Sequence, residues 1–162
     1  MPKTGGSTIT EILAPYVNPK GSVEERRGWQ SKFHQGTMHS DLYLNYAGFF
    51  KFAFVRNPYD RALSWYRSTA PGRTLPCAHT QVRGLDYLAR FENYEEEVQF
   101  ICDKLEIELK EIPHRGDSSS KFKPLSQAMA RQIYTRYRPD FDAFGYEKES
   151  WRKWSSPKTS QS

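Results

Sequence analysis

At 162 residues the chain is the size of one domain, since domains run to roughly 100–200 residues. Its net charge of +5 favours an anionic ligand: nucleic acid, nucleotide, sulfated sugar or lipid headgroup. Ten Phe, ten Tyr and four Trp exclude disorder throughout, no apolar run approaches the roughly 18 residues of a membrane span, and Cys77 and Cys102 are too few for a disulfide framework or a zinc site by themselves.

The first segment is Lys3-Thr4-Gly5-Gly6-Ser7-Thr8, a glycine turn leading into the apolar stripe Ile9, Ile12, Leu13, Tyr16. That spacing predicts a short amphipathic helix starting at Ser7 or Thr8, with Thr8 and Glu11 spaced as a capping box. Pro15 is expected to kink or end it early, and Asn18-Pro19-Lys20-Gly21 ends it at the latest. Residues 19–31 read as loop or a helical turn, and 40–47 as a second short helix. Phe49 to Val55 is a nearly unbroken apolar run, as expected of a strand covered on both faces in a parallel sheet. Asn57 as N-cap, Pro58 at the first helical position and Asp60 in the first turn then start a helix over 58–67.

Residues 70–83 read as loop and Leu85–Phe91 as a second strand. Asn93 is placed to cap a helix with the stripe Tyr94, Val98, Ile101, Leu105. A polar loop over 111–124 and a last helix over Leu125–Tyr137 follow, with Phe141, Phe144 and Tyr146 as a docked aromatic end. Cys102 falls on a buried stripe and Cys77 in a loop. Residues 1–150 are expected as one domain and 151–162, rich in Ser, Lys and Pro, as a disordered tail. Strands alternating with helices make the fold class α/β with a mainly parallel sheet.

Two segments carry chemistry. In the first, the glycines let several backbone N–H groups converge, the helix start adds a positive dipole end, Ser and Thr add donors, and Lys3 adds a charge. This is an anion cradle, but not the Walker arrangement, because the lysine precedes the glycines. In the second, Arg56 stands at the C-terminal end of the strand, where open α/β sheets bind ligands. Ser64, about two turns into the next helix, adds a hydroxyl; guanidinium plus hydroxyl is a phosphate site. A structural reading exists for each: a polar arm with a helix cap, and a strand-ending arginine with a helix-face serine.

Together these segments resemble sulfotransferases that use 3′-phosphoadenosine 5′-phosphosulfate (PAPS), and within them the carbohydrate (membrane-associated, Golgi-like) type and its bacterial relatives. Pro2 to Thr8 is similar to their 5′-phosphosulfate loop, and Phe54-Val55-Arg56-Asn57-Pro58-Tyr59-Asp60-Arg61 with Ser64 to their 3′-phosphate motif. Lys32-Phe33-His34, Ala89-Arg90-Phe91-Glu92-Asn93, Ile112-Pro113-His114 with Ser118, and Asp140-Phe141 with Phe144-Gly145-Tyr146 agree in order, so the resemblance covers roughly residues 2–147. It implies a three-layer, P-loop-like α/β fold. Lys3 would bridge the sulfonate and the leaving phosphate, Thr4, Gly5, Gly6, Ser7 and Thr8 would cradle the 5′-phosphate, and Arg56 and Ser64 would hold the 3′-phosphate. The implied reaction is in-line transfer to a hydroxyl acceptor, a carbohydrate, with no metal and no nucleic-acid partner.

The acceptor's proton requires a base. Of the four histidines, His34 is expected to serve, because in similar sulfotransferases a His upstream of the 3′-phosphate strand faces the sulfonate; His39 is its competitor, while His79 lies in a Pro-rich loop and His114 in the nucleotide-side loop. Three features depart from the family pattern. No strand precedes the phosphosulfate loop, the stretch from Ser64 to Arg90 is short, and Gly116 stands where Asn is expected. The alternatives are a truncated or degenerate relative that binds nucleotide without turnover, a basic polyanion-binding module, and a P-loop kinase. The expected compartment is the cytoplasm for a complete bacterial-type chain, or the Golgi lumen for a piece of a longer membrane-anchored protein.

Overall fold

The computed structural model describes residues 6–17, 48–68, 74–109, 111–112 and 125–154. Their order is α1 (Gly6–Val17), β1 (Phe52–Val55), α2 (Pro58–Ser68), a 3-10 turn His79–Gln81, β2 (Tyr87–Arg90), a 3-10 turn Phe91–Asn93, α3 (Tyr94–Lys104), α4 (Gln127–Phe144) and a 3-10 helix Lys148–Trp154. The expected helix at 40–47 and the loops at 19–31 and 113–124 lie outside the described residues. So do residues 155–162 of the expected tail, while the last 3-10 helix carries order to Trp154.

Strands β1 and β2 pair in parallel, with Phe52 opposite Tyr87 and Val55 opposite Arg90. The ladder is set at its start by Lys51, whose carbonyl accepts from Asp86 N–H at 2.8 Å and Tyr87 N–H at 3.1 Å and whose own N–H donates to the Asp86 carboxylate at 2.7 Å. That bond and the Lys51 side chain hold the Asp86 carboxyl below the usual carboxylate range. Alternation then sends Phe52 and Phe54 to one face of the sheet and Val55 to the other. On the first face Phe54 and Ala89 pack with Val98, Ile101 and Cys102 of α3, and Ile9 and Ile12 of α1 lie against the same cluster. On the second face Val55 packs with Ala78 and with Phe144 of α4. Tyr59 of α2 joins Ala130, Tyr137 and Phe141 of α4 in a further cluster with Leu75 and Leu125.

The β1–α2 junction forms as the sequence predicts. Asn57 Oδ1 accepts from the Tyr59 N–H at 3.0 Å, and the Asn57 carbonyl accepts from the Arg61 N–H at 2.9 Å, so Asn57 is the N-cap. Other expectations are corrected. The strand spans only 52–55; Gly48 turns with φ 92°, and Phe49 is 66% exposed. Helix α1 begins at Gly6, which places Thr8 inside the first turn rather than at its cap. It runs through Pro15 to Val17, because a proline two residues before the helix's last residue removes only one late hydrogen bond. Tyr16 leaves the apolar stripe and is exposed, its hydroxyl 3.4 Å from the Glu108 carbonyl.

Asn93 stands before α3, but its side chain makes no capping bond, because the 3-10 turn before it fixes another backbone approach. The last helix does not stop at Tyr137. It kinks there (φ −108°, ψ 16°), resumes across Pro139, and ends at Gly145, whose left-handed φ of 66° lets its N–H reach the Phe141 carbonyl. Phe141 and Phe144 are therefore helical residues, both buried.

Candidate functional site

Of the residues expected to act, Lys3, Thr4, Gly5 and His34, together with the competitor His39, lie outside the described residues. Gly6, Ser7, Thr8, Arg56 and Ser64 are described, with nothing described of the Ser7 side chain. Gly6 opens α1, and Thr8, within its first turn, is buried. The Tyr94 hydroxyl is hydrogen-bonded to Thr8, and burial pushes the Tyr94 phenol up against the lesser, opposite effect of that bond. The Tyr94 ring lies 5.0 Å from the Phe54 ring and 5.1 Å from the Phe91 ring, centroid to centroid. Over the Phe91 face sits the Arg56 guanidinium, its carbon 4.5 Å from the ring centroid. The start of α1 and the arginine after β1 thus converge on one turn, Phe91–Tyr94, at the C-terminal end of the sheet. Ser64 lies half-buried on α2, eight residues after Arg56.

The same turn is tied to the chain's C-terminal region. Glu92 Oε1 accepts from the Asn57 N–H at 2.7 Å, and Glu92 Oε2 accepts from the Tyr146 hydroxyl at 2.8 Å. Burial, with the Glu92 carboxylate beside it, holds the Tyr146 phenol far above its ordinary value. Arg90 donates through Nη2 to the Phe144 carbonyl at 2.7 Å, and its guanidinium lies 5.0 Å from the Tyr146 ring centroid. Asn57 Nδ2 donates to Ser150 Oγ at 2.9 Å, the Tyr59 hydroxyl to the Lys148 carbonyl at 2.7 Å, and Lys153 Nζ to Asp60 Oδ2 at 3.0 Å. Three sequence pieces far apart in the chain, Arg56–Asp60, Arg90–Asn93 and Phe144–Lys153, are thereby held together.

Residues 1–75 match the model of the Sulfotransferase family, 75 of the chain's 162 residues. Over that segment, just under half of the chain, the sequence is similar to the sulfotransferase family. No curated protein and no solved structure matched it. The matched segment contains α1, β1 and α2, and so all the expected phosphate-binding residues; Phe91 of the 91–93 turn and Tyr94 of α3, which contact Arg56 and Thr8, lie beyond the match. No helix among the described residues is long and apolar enough to cross a membrane.

Sequence reasoning did not single out Glu92, Tyr146 or Asp140, whose side chains tie distant segments together. The signal in the sequence is an acid or phenol inside each short motif: Glu92 in Ala89–Asn93, and Asp140 and Tyr146 in the segment 140–146. Asp140, 1% exposed, accepts from Arg61 Nη1 at 3.2 Å, the Ala78 N–H at 2.8 Å and the His79 N–H at 2.9 Å, and its Oδ1 lies 2.7 Å from His79 Nδ1. Arg61, also 1% exposed, donates through Nη2 to the Pro76 carbonyl at 2.7 Å. Burial lowers the Arg61 guanidinium from its ordinary value, and Asp140 opposes that. Cys77, His79 and Asp140 offer ligand atoms within 4.8 Å of one another. Yet each Asp140 oxygen already meets two nitrogen groups, burial raises the Cys77 thiol, and the neighbouring Arg61 is cationic. This donor set suits an anchor that fastens the 75–81 loop to α2 and α4, not a cation site.

Proposed function

We propose that this chain transfers a sulfonate from PAPS to a hydroxyl acceptor, a carbohydrate. The observation that carries the reading is the convergence of Thr8 and Arg56 on the Phe91–Tyr94 turn, since a nucleotide with phosphates at both its 3′ and 5′ positions needs two anion sites facing one cleft. The donor set fits such a ligand: a helix N-terminus at Gly6, a guanidinium at Arg56 and a hydroxyl at Ser64 are all complementary to phosphate oxygens. PAPS supplies an activated sulfonate and a bisphosphate leaving group. In this reading Thr4, Gly5, Gly6, Ser7 and Thr8 bind the 5′-phosphate. Thr8 does so through its backbone N–H, its side chain being engaged with Tyr94. Arg56 and Ser64 bind the 3′-phosphate.

Lys3 sets its charge where negative charge grows during transfer, and His34 takes the proton of the acceptor hydroxyl. The chemistry then rests on positioning and charge, which is what a rigid strand end and a helix start can supply. Calorimetric titration with adenosine 3′,5′-bisphosphate, ATP and a short oligonucleotide tests the reading. The bisphosphate is expected to bind tightest, and Arg56→Ala to weaken it by about 1.5–3 kcal/mol, the scale of a charged hydrogen bond. Tighter ATP or oligonucleotide binding, or an unchanged affinity in Arg56→Ala, overturns it.

A further inference from the structure

Glu92 is an acid beside a site meant for anions, which on charge alone disfavours the ligand. It is nonetheless held by two bonds, from the Asn57 N–H at 2.7 Å and the Tyr146 hydroxyl at 2.8 Å. The parallel register explains its place. Val55 pairs with Arg90, so the next two residues of each strand run on as Arg56 beside Phe91 and Asn57 beside Glu92. The backbones part there, because Pro58 opens α2 while Phe91 enters a 3-10 turn. The Glu92 carboxylate takes over as acceptor for the Asn57 N–H. Asp86 does the same for the Lys51 N–H at the other end of β1.

We propose that Glu92 is the positioning residue of the 3′-phosphate site, a claim that rests on the reading of Arg56 given above. The Asn57 N–H lies in the rigid peptide plane that also contains the Arg56 carbonyl, so fixing that N–H fixes the Arg56 backbone torsion. The neighbouring Phe91 ring fixes the Arg56 guanidinium from below. Asn57 also caps α2, the helix that carries Ser64. One carboxylate thereby orients both proposed 3′-phosphate contacts, and Tyr146 braces it from the C-terminal region.

The test is the ratio of affinities for adenosine 3′,5′-bisphosphate and for AMP, which lacks the 3′-phosphate, measured by calorimetry on the full chain. Glu92→Ala is expected to cut that ratio at least tenfold while AMP affinity changes less than twofold. Glu92→Gln keeps an acceptor oxygen for the Asn57 N–H and removes the repelling charge, so it is expected to recover most of the ratio. Should Glu92→Ala melt at the assay temperature, Glu92→Asp, whose carboxylate is drawn back by one methylene, carries the same expectation. An undiminished ratio in the folded Ala or Asp variant overturns the proposal. So does a Gln variant as weak as Ala, since the acceptor was kept. A wild-type chain with no preference for the bisphosphate overturns the Arg56 reading itself, and this proposal with it, before any variant is compared.

Discussion

Replacing Asp140 by Asn tests whether the buried Arg61–Asp140–His79 cluster holds the second layer of helices to the loop at 75–81. The carboxylate is 1% exposed, and four nitrogen groups surround it: Arg61 Nη1 at 3.2 Å, Ala78 N at 2.8 Å, His79 N at 2.9 Å and His79 Nδ1 at 2.7 Å. Asn is nearly isosteric but turns one acceptor oxygen into a donor, so donor groups on that side face a donor. It also leaves the Arg61 cation, 1% exposed, without its buried counter-ion. Breaking a buried pair from one side costs about 3–5 kcal/mol. With a urea slope of about 2 kcal/mol/M, the unfolding midpoint should fall by about 1.5–2.5 M. Equilibrium urea unfolding followed by tryptophan fluorescence reads this directly. A loss below about 1 kcal/mol in Asp140→Asn would refute the reasoning, since that is the scale of a single ordinary hydrogen bond.

The Tyr59 phenol is pushed up to about 12 by burial, with Glu149 adding to it, so folding favours the protonated form. Its contribution is intact below the ordinary phenol value near 10 and is lost as pH rises toward about 12. Chemical denaturation at pH 9, 10.5 and 11.5 should show a decline that Tyr59→Phe makes shallower, although the variant starts lower for want of the bond to the Lys148 carbonyl. Lys3→Ala should lower turnover more than nucleotide affinity, because its charge matters most as negative charge develops; single-turnover rates and bisphosphate titrations separate the two. His34→Ala should abolish transfer and leave bisphosphate affinity nearly intact, while His39→Ala should retain transfer; the opposite pattern makes His39 the base.

The β1–α2 junction was legible in the sequence because its determinants are local: an apolar run, an asparagine with capping geometry and a proline at the first helical position. The parallel pairing with β2 followed from alternating elements and an apolar strand. The end of α4 was not legible. Pro139 reads as a breaker, but the kink at Tyr137 absorbs it, and burial of Asp140, Phe141 and Phe144 draws the helix on to Gly145. Asn93 had the right residue type for a cap and the wrong backbone, set by the preceding 3-10 turn. The motifs proposed to bind phosphate were visible in the sequence, but the contacts that surround Arg56 and Asn57 were not. Glu92 meets Asn57 across 35 positions and Tyr146 across 54, and Asp140 meets Arg61 across 79, and no local spacing encodes such pairings.

The proposed sulfonate transfer is measured most directly by the formation of adenosine 3′,5′-bisphosphate from PAPS, followed chromatographically with a panel of hydroxyl-bearing glycans. Bisphosphate release is expected to depend on an acceptor, to be stoichiometric with sulfated product, and to be lost in Lys3→Ala and His34→Ala. Nucleotide binding with no product from any acceptor, or release that proceeds unchanged in both variants, would contradict it.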